Sequence, residues 1–119
     1  MQVLKTDFVG SDFMLERLLE LGPKRKAALE VGTVEFAAGY RHPQDGMSVH
    51  SQDEISLILS GRLVVEHPSG NAELGAGDVV FIPAGEPHAS RALEQSRVYF
   101  VLFGLAEDNL PAGTGIASK

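Results

Sequence analysis

His50, Glu54 and His88 are the residues of this chain whose types and spacing can do chemistry. His50 and Glu54 stand four apart, just before and at the start of a stretch that alternates as a strand. His88 follows the turn Pro83-Ala84-Gly85-Glu86-Pro87. Antiparallel strands can bring all three together across a barrel mouth. Two imidazoles and one carboxylate then make a facial set with open positions, suited to Fe(II), Mn(II), Ni(II) or Zn(II). With no cysteine in the chain, any metal must be held by nitrogen and oxygen. The same absence removes a disulfide framework and a cysteine nucleophile. No Ser–His–Asp order and no phosphate-binding glycine loop is visible. Hydrolysis by a covalent nucleophile and nucleotide chemistry are therefore disfavoured.

The elements that must position these residues are strands. From Ala28 the pattern has period two, broken by Gly and Pro turns. Its parity switches around Gly32, as a bulge would make it do. Tyr40 to Gly46 reads as a loop and Ser48-Val49-His50 as a short strand. Glu54 to Ser60, Arg62 to His67, Ala72 to Leu74, Val79 to Ile82, His88 to Leu93 and Arg97 to Phe103 read as strands. Eight or so short strands at regular spacing predict an all-β barrel or sandwich. In the strand from Glu54, one face carries Glu54, Ser56 and Ile58, a mixture that suits a cavity lining. In Val98 to Phe103 both faces are apolar, so both need cover. A homodimer would supply it; the alternative is cover by the N-terminal segment. In that segment Ser11 is a candidate cap for a helix from Asp12 to about Leu21, with Phe13, Met14, Leu18 and Leu21 on one face and Gly22-Pro23 as the stop.

Two stretches resemble the cupin motifs. Ser48-Val49-His50-Ser51-Gln52-Asp53-Glu54, then six residues, then Gly61, is similar to the first motif: two histidines flanking one residue, a carboxylate, six residues and a glycine. Gly77, five residues, Pro83-Ala84-Gly85, two residues and His88 is similar to the second. The resemblance covers about residues 29–105 and is closest to small single-domain bacterial cupins. It implies a cupin-type antiparallel β-barrel (jelly-roll), with a metal held inside one end by His50, Glu54 and His88. The organisation expected is an N-terminal extension over 1–27 that holds a short helix, a barrel over 28–105 and a flexible tail over 106–119.

The pattern is departed from twice. Ser48 stands where the first motif has its first histidine, and Ala92 where the second motif usually ends in asparagine. A neutral serine hydroxyl is a poor ligand, so the set falls to three, which opens a position or weakens the metal. His42 is a candidate substitute from its loop, otherwise a rim residue. Ser56 and Ser90 share parity with Glu54 and His88 and are candidates for supporting hydrogen bonds or for barrel packing. His67 is expected to face solvent. Gln52 and Asp53 are expected to shape the turn.

Cupins carry many functions, so the fold does not fix the activity. The resemblance implies a metal-binding protein acting on a small oxygenated organic molecule, as a dioxygenase, isomerase or lyase does. The alternative is a non-catalytic small-ligand or sensor module, with or without metal. A third reading is a metal-free epimerase-like enzyme with His50 or His88 as base. The chain has 119 residues and net charge −6, with Lys24-Arg25-Lys26 its only basic run. No basic face for a phosphate backbone follows from that, so no nucleic-acid partner is expected. Its longest apolar run falls far short of the ~20 residues a spanning helix needs, and no membrane partner is expected. The opening Met1-Gln2-Val3-Leu4-Lys5 is not followed by the apolar stretch of a secretory signal, so a cytoplasmic location is expected.

Overall fold

The computed structural model describes residues 8–21 and 27–105. All its regular elements there are strands: β1 (Phe13–Leu21), β2 (Ala27–Phe36), β3 (Arg41–His42), β4 (Asp53–Ser60), β5 (Arg62–His67), β6 (Gly70–Gly75), β7 (Val79–Ile82), β8 (Ala89–Ala92) and β9 (Ser96–Leu105). They form two antiparallel sheets, one of order β1-β2-β9-β4-β7 and one of order β3-β8-β5-β6. The fold is the all-β jelly-roll expected. The tail over 106–119 and the basic run at 24–26 lie outside the described residues.

The expected helix from Asp12 is a strand instead. Phe13 pairs with Phe36 and Leu15 with Val34, both turned toward the core. The register then slips between Arg17 and Leu19. A one-residue bulge breaks a period of two, so the apolar positions past it fall at spacings that imitate a helix. The bulge expected at Gly32 is absent from β2: the slip lies in β1, opposite Gly32 and Val31. β2 runs beside β9 without a slip, from Ala27↔Leu105 to Phe36↔Ser96. Gly32 keeps the inward parity of Val34 and Phe36. A Cβ there would overlap the Phe100 ring and the Glu16 carbonyl, so the missing side chain makes room for the aromatic ring.

The core is built from the inward rows of both sheets: Val34, Phe36, Ile58, Val98, Phe100 and Leu102 from one, Leu63 and Ala92 from the other. The register aligns these residues in rungs. Val34, Val98 and Ile58 make one rung, and Glu30, Leu102, Glu54 and Ile82 make another nearer the site. The strand from Glu54 is two-sided as its sequence suggests. Glu54, Ser56 and Ile58 are buried, whereas Ile55, Leu57 and Leu59 are exposed.

The Tyr40–Gly46 stretch contains the two-residue strand β3, and Ser48 joins the fold through a single bridge to His88. On the outer face of β2 and β9, Phe8 packs edge-on to Tyr99 at 6.4 Å and lies under Arg97 at 5.0 Å. The N-terminal segment thus supplies part of the cover that β9 needs.

Candidate metal centre

His50, Glu54 and His88 meet inside one end of the barrel, and their ligand atoms all lie within 4.8 Å of one another. All three are buried. Two sequence segments far apart are stapled to make this happen. Ser48 and His88 exchange backbone hydrogen bonds, at 2.8 and 3.0 Å. Gly85 N–H donates to the His50 carbonyl at 2.9 Å, and Ala84 N–H donates to Asp53 Oδ1 at 2.8 Å. Asp53 therefore ties the start of β4 to the Pro83-Ala84-Gly85 turn that aims His88.

Each imidazole is oriented by a carbonyl two residues away. His50 Nδ1 donates to Gln52 O at 2.9 Å, and His88 Nδ1 donates to Glu86 O at 3.0 Å. A carbonyl can only accept, so Nδ1 carries the proton in both rings, and Nε2 is the nitrogen turned into the cluster. This is the tautomer a ligating histidine uses. His50 Nε2 lies 3.0 Å from Glu54 Oε1. His88 Nε2 lies 3.7 Å from the same oxygen, beyond hydrogen-bond range, and is buried without a partner. Ser56 Oγ donates to the other oxygen, Glu54 Oε2, at 2.6 Å.

Electrostatics follow from this packing. Burial pushes the His50 pKa down, but its hydrogen bonds to Glu54 and the Gln52 carbonyl outweigh that, and the net shift is upward. Burial pushes Glu54 up, yet hydrogen bonds from His50 and Ser56 and the nearby His88 hold it below the ordinary carboxylate value. With Nδ1 already donating, the His50–Glu54 contact requires a second proton on the ring. That proton sits where a cation would sit. The fit to a divalent metal is therefore good: two Nε2 atoms, a carboxylate oxygen held ionised, and one inward nitrogen with nothing else to bind.

The remaining expected residues fall in different places. Ser48 is buried and its hydroxyl has no hydrogen-bond partner. Ser90 lines the narrow barrel interior together with Glu54 and Ser56. His42 stacks on Phe13 at 4.9 Å, outside the three-residue cluster. His67 is not simply solvent-facing. It shares parity with Leu63 and Val65, contacts Glu86 Oε1 through Nε2 at 2.8 Å and accepts from Ser69 N–H at 3.0 Å. With His88, Val65, Ala72, Val80 and Ile82 it lines a cavity of about 270 Å³ between the edge strands β6 and β7.

Sequence reasoning missed one group. Glu30 occupies the rung of Glu54, two strands away, and binds Arg17 Nε at 2.8 Å. Burial raises the Glu30 pKa more than Arg17 lowers it. A parity switch placed at Gly32 turns Glu30 outward. Unbroken alternation back from Phe36 and Val34 is the signal that turns it inward.

Comparison with known proteins gives a consistent result. Residues 32–104 match the Cupin_2 family model, a cupin domain. A dimethylsulfoniopropionate lyase, DddQ, of Ruegeria pomeroyi is 35% identical over 104 residues, which are 80% of this chain and 49% of that protein. The chain thus spans about half the length of that relative. An uncharacterized protein of Streptomyces coelicolor is 28% identical over 83 residues, 70% of this chain and 76% of that one. Among solved structures, a cupin superfamily protein of Desulfitobacterium hafniense superposes with a TM-score of 0.66 at 18% identity, covering 82% of each chain. KdgF from a Halomonas species superposes with a TM-score of 0.64 at 22% identity, covering 87% of this chain and 91% of that one.

Proposed function

The chain belongs to the cupin family, and from that premise we propose that it is a metal-dependent enzyme acting, in the manner of a lyase, on a small oxygen-bearing organic molecule. The observation that carries this reading is His88 Nε2, buried, turned into the cluster and without a hydrogen-bond partner. His50, Glu54 and His88 would hold the ion. Fe, Mn, Ni and Zn all suit two imidazoles and a carboxylate. When bound, such an ion supplies Lewis acidity toward a ligand oxygen. The chain's own residues do the rest. The Gln52 and Glu86 carbonyls fix the two rings, and Ser56 fixes the carboxylate.

Of the oxygenase, isomerase and lyase chemistries, the lyase is favoured by the name of the Ruegeria relative. A second reading, a module that binds the same ligand without turning it over, is favoured by Ser48 in place of a third imidazole. Metal analysis of protein purified without added metal tests the shared premise. About one transition-metal ion per chain is expected, lost in His50→Ala, Glu54→Ala and His88→Ala. A wild-type chain that takes up none of Fe, Mn, Ni or Zn ends the metal reading. Loaded protein should then be offered dimethylsulfoniopropionate and a panel of small hydroxy and oxo acids. Turnover selects the enzyme, and saturable binding without turnover selects the module.

We also infer a homodimer in which a second copy covers the outer face of β4 and β7. Ile55, Leu57, Leu59, Val79 and Phe81 leave 37–60% of their surface exposed there. Register places Phe81 beside Ile55 and Val79 beside Leu57, so the patch is continuous. No charged residue interrupts it between these paired positions.

A further inference from the structure

We propose that Ser48 is a positioning residue that holds an oxygen atom of an anionic ligand, a small carboxylate, against the His50–Glu54–His88 cluster. The inference rests on the metal reading of that cluster. Three observations carry it.

The first is the backbone. Ser48 and His88 exchange both N–H···O=C bonds, at 2.8 and 3.0 Å. A hydrogen-bonded antiparallel pair projects its two side chains to the same face. The Ser48 and His88 side chains therefore leave the backbone on one face.

The second is the hydroxyl itself. Ser48 is 1% exposed, and its Oγ has no hydrogen-bond partner. A buried hydroxyl without a partner is destabilising, and alanine would fill the same space without that penalty. The donor is therefore assigned to an atom that arrives with the ligand. His88 Nε2 is the other unpartnered buried side-chain atom among the described residues.

The third is charge. Two neutral imidazoles, the Glu54 carboxylate and a divalent ion sum to one positive charge. Serine adds none. A net charge in a buried site is unfavourable unless it is paired. An anionic carboxylate offsets it and leaves one of its oxygens free to accept from Ser48 Oγ. His88 also lines the cavity of about 270 Å³ between β6 and β7, so the cluster has open space on that side.

The test uses Mn²⁺ and oxalate with the full chain and two variants, Ser48→Ala and Ser48→His. Electron paramagnetic resonance measures Mn²⁺ affinity, and water-proton relaxation counts the exchangeable waters on the bound ion. In Ser48→Ala, Mn²⁺ affinity should stay within about threefold of wild type, while oxalate affinity of the loaded protein falls by about tenfold or more, as loss of a hydrogen bond to a charged group predicts. In Ser48→His, the imidazole should enter the open position. Mn²⁺ should bind more tightly, and the relaxation enhancement should drop by about a third, from three waters to two on a six-coordinate ion. Oxalate bound equally well by wild type and Ser48→Ala overturns the role of Ser48 and leaves the metal reading standing. If Ser48→Ala folds poorly, Ser48→His decides alone, because an unchanged water count shows that residue 48 does not reach the ion. Failure of the wild-type chain to bind Mn²⁺, Fe, Ni or Zn overturns both.

Discussion

Ser56 decides which oxygen of Glu54 is available. Its hydroxyl donates to Oε2 at 2.6 Å, so Oε1 is the oxygen that faces both histidines. Partners of this kind orient ligands and typically alter metal affinity by about 10–100-fold when removed. Ser56→Ala should therefore weaken metal binding by that factor, read by competition with a chromophoric chelator, while the fold persists. Unchanged affinity would show that packing alone aims the carboxylate. The candidate cluster was largely legible at this scale. His50, Glu54 and His88 could be read because a metal set needs particular atom types, and turn residues mark where strands deliver them. Glu30 could not, because its direction depends on whether the chain bulges at Gly32, and one strand's pattern does not say which of two neighbours carries a bulge.

The elements with clean alternation, Glu54 to Ser60, Arg62 to His67 and Val79 to Ile82, were read nearly to the residue, since one buried face imposes period two. β1 was not, because its bulge scrambles the period. β3 was not, because two residues carry no pattern and pairing with β8 alone defines them. Gly32 is where two elements depend on one missing side chain. Gly32→Val should drive a branched side chain into Phe100 and Glu16 and cost about 1–3 kcal/mol, the usual penalty for overpacking. Thermal unfolding measures it, and an unchanged melting temperature would mean that β1 yields freely.

Glu35 acts between elements as well. It is fully buried on the outer side of β2, accepts from Gly10 and Ser11 N–H through Oε1, and from Gln95 and Arg97 through Oε2, each at 3.0 Å. Burial raises its pKa, but the Arg97 and backbone hydrogen bonds outweigh that and hold it below 4.5. A depressed carboxyl pKa contributes stability that is present above the unfolded value and is lost as pH falls toward the folded one. Glu35→Gln should cost about 1.5–3 kcal/mol at neutral pH, less whatever solvent screens at the partly exposed Arg97. The gap between variant and wild type should close below about pH 4.5. A gap independent of acid would show that the carboxylate's charge contributes nothing to holding residues 10–11 against β2.

On the scale of the whole molecule, the barrel has more apolar strand surface than one chain covers. Phe8 and Arg97 shield the outer face at Tyr99, while Ile55, Leu57, Val79 and Phe81 remain open on the same sheet. A patch of this kind on one sheet face can meet its own copy across a two-fold axis, where each residue faces the same small set of residues in the mate. Sedimentation should then give twice the chain mass of 12.7 kDa. Leu57→Glu and Val79→Glu place like charges near that axis and should return the mass to one chain without loss of metal, because both residues are exposed on the outer face of the sheet and neither lines the cavity beside His88. A wild-type chain that sediments at 12.7 kDa would show that exposure of this face is tolerated in the monomer. Loss of metal together with the dimer would instead tie the site's rigidity to assembly, through β4, the strand that carries Leu57 outward and Glu54 inward.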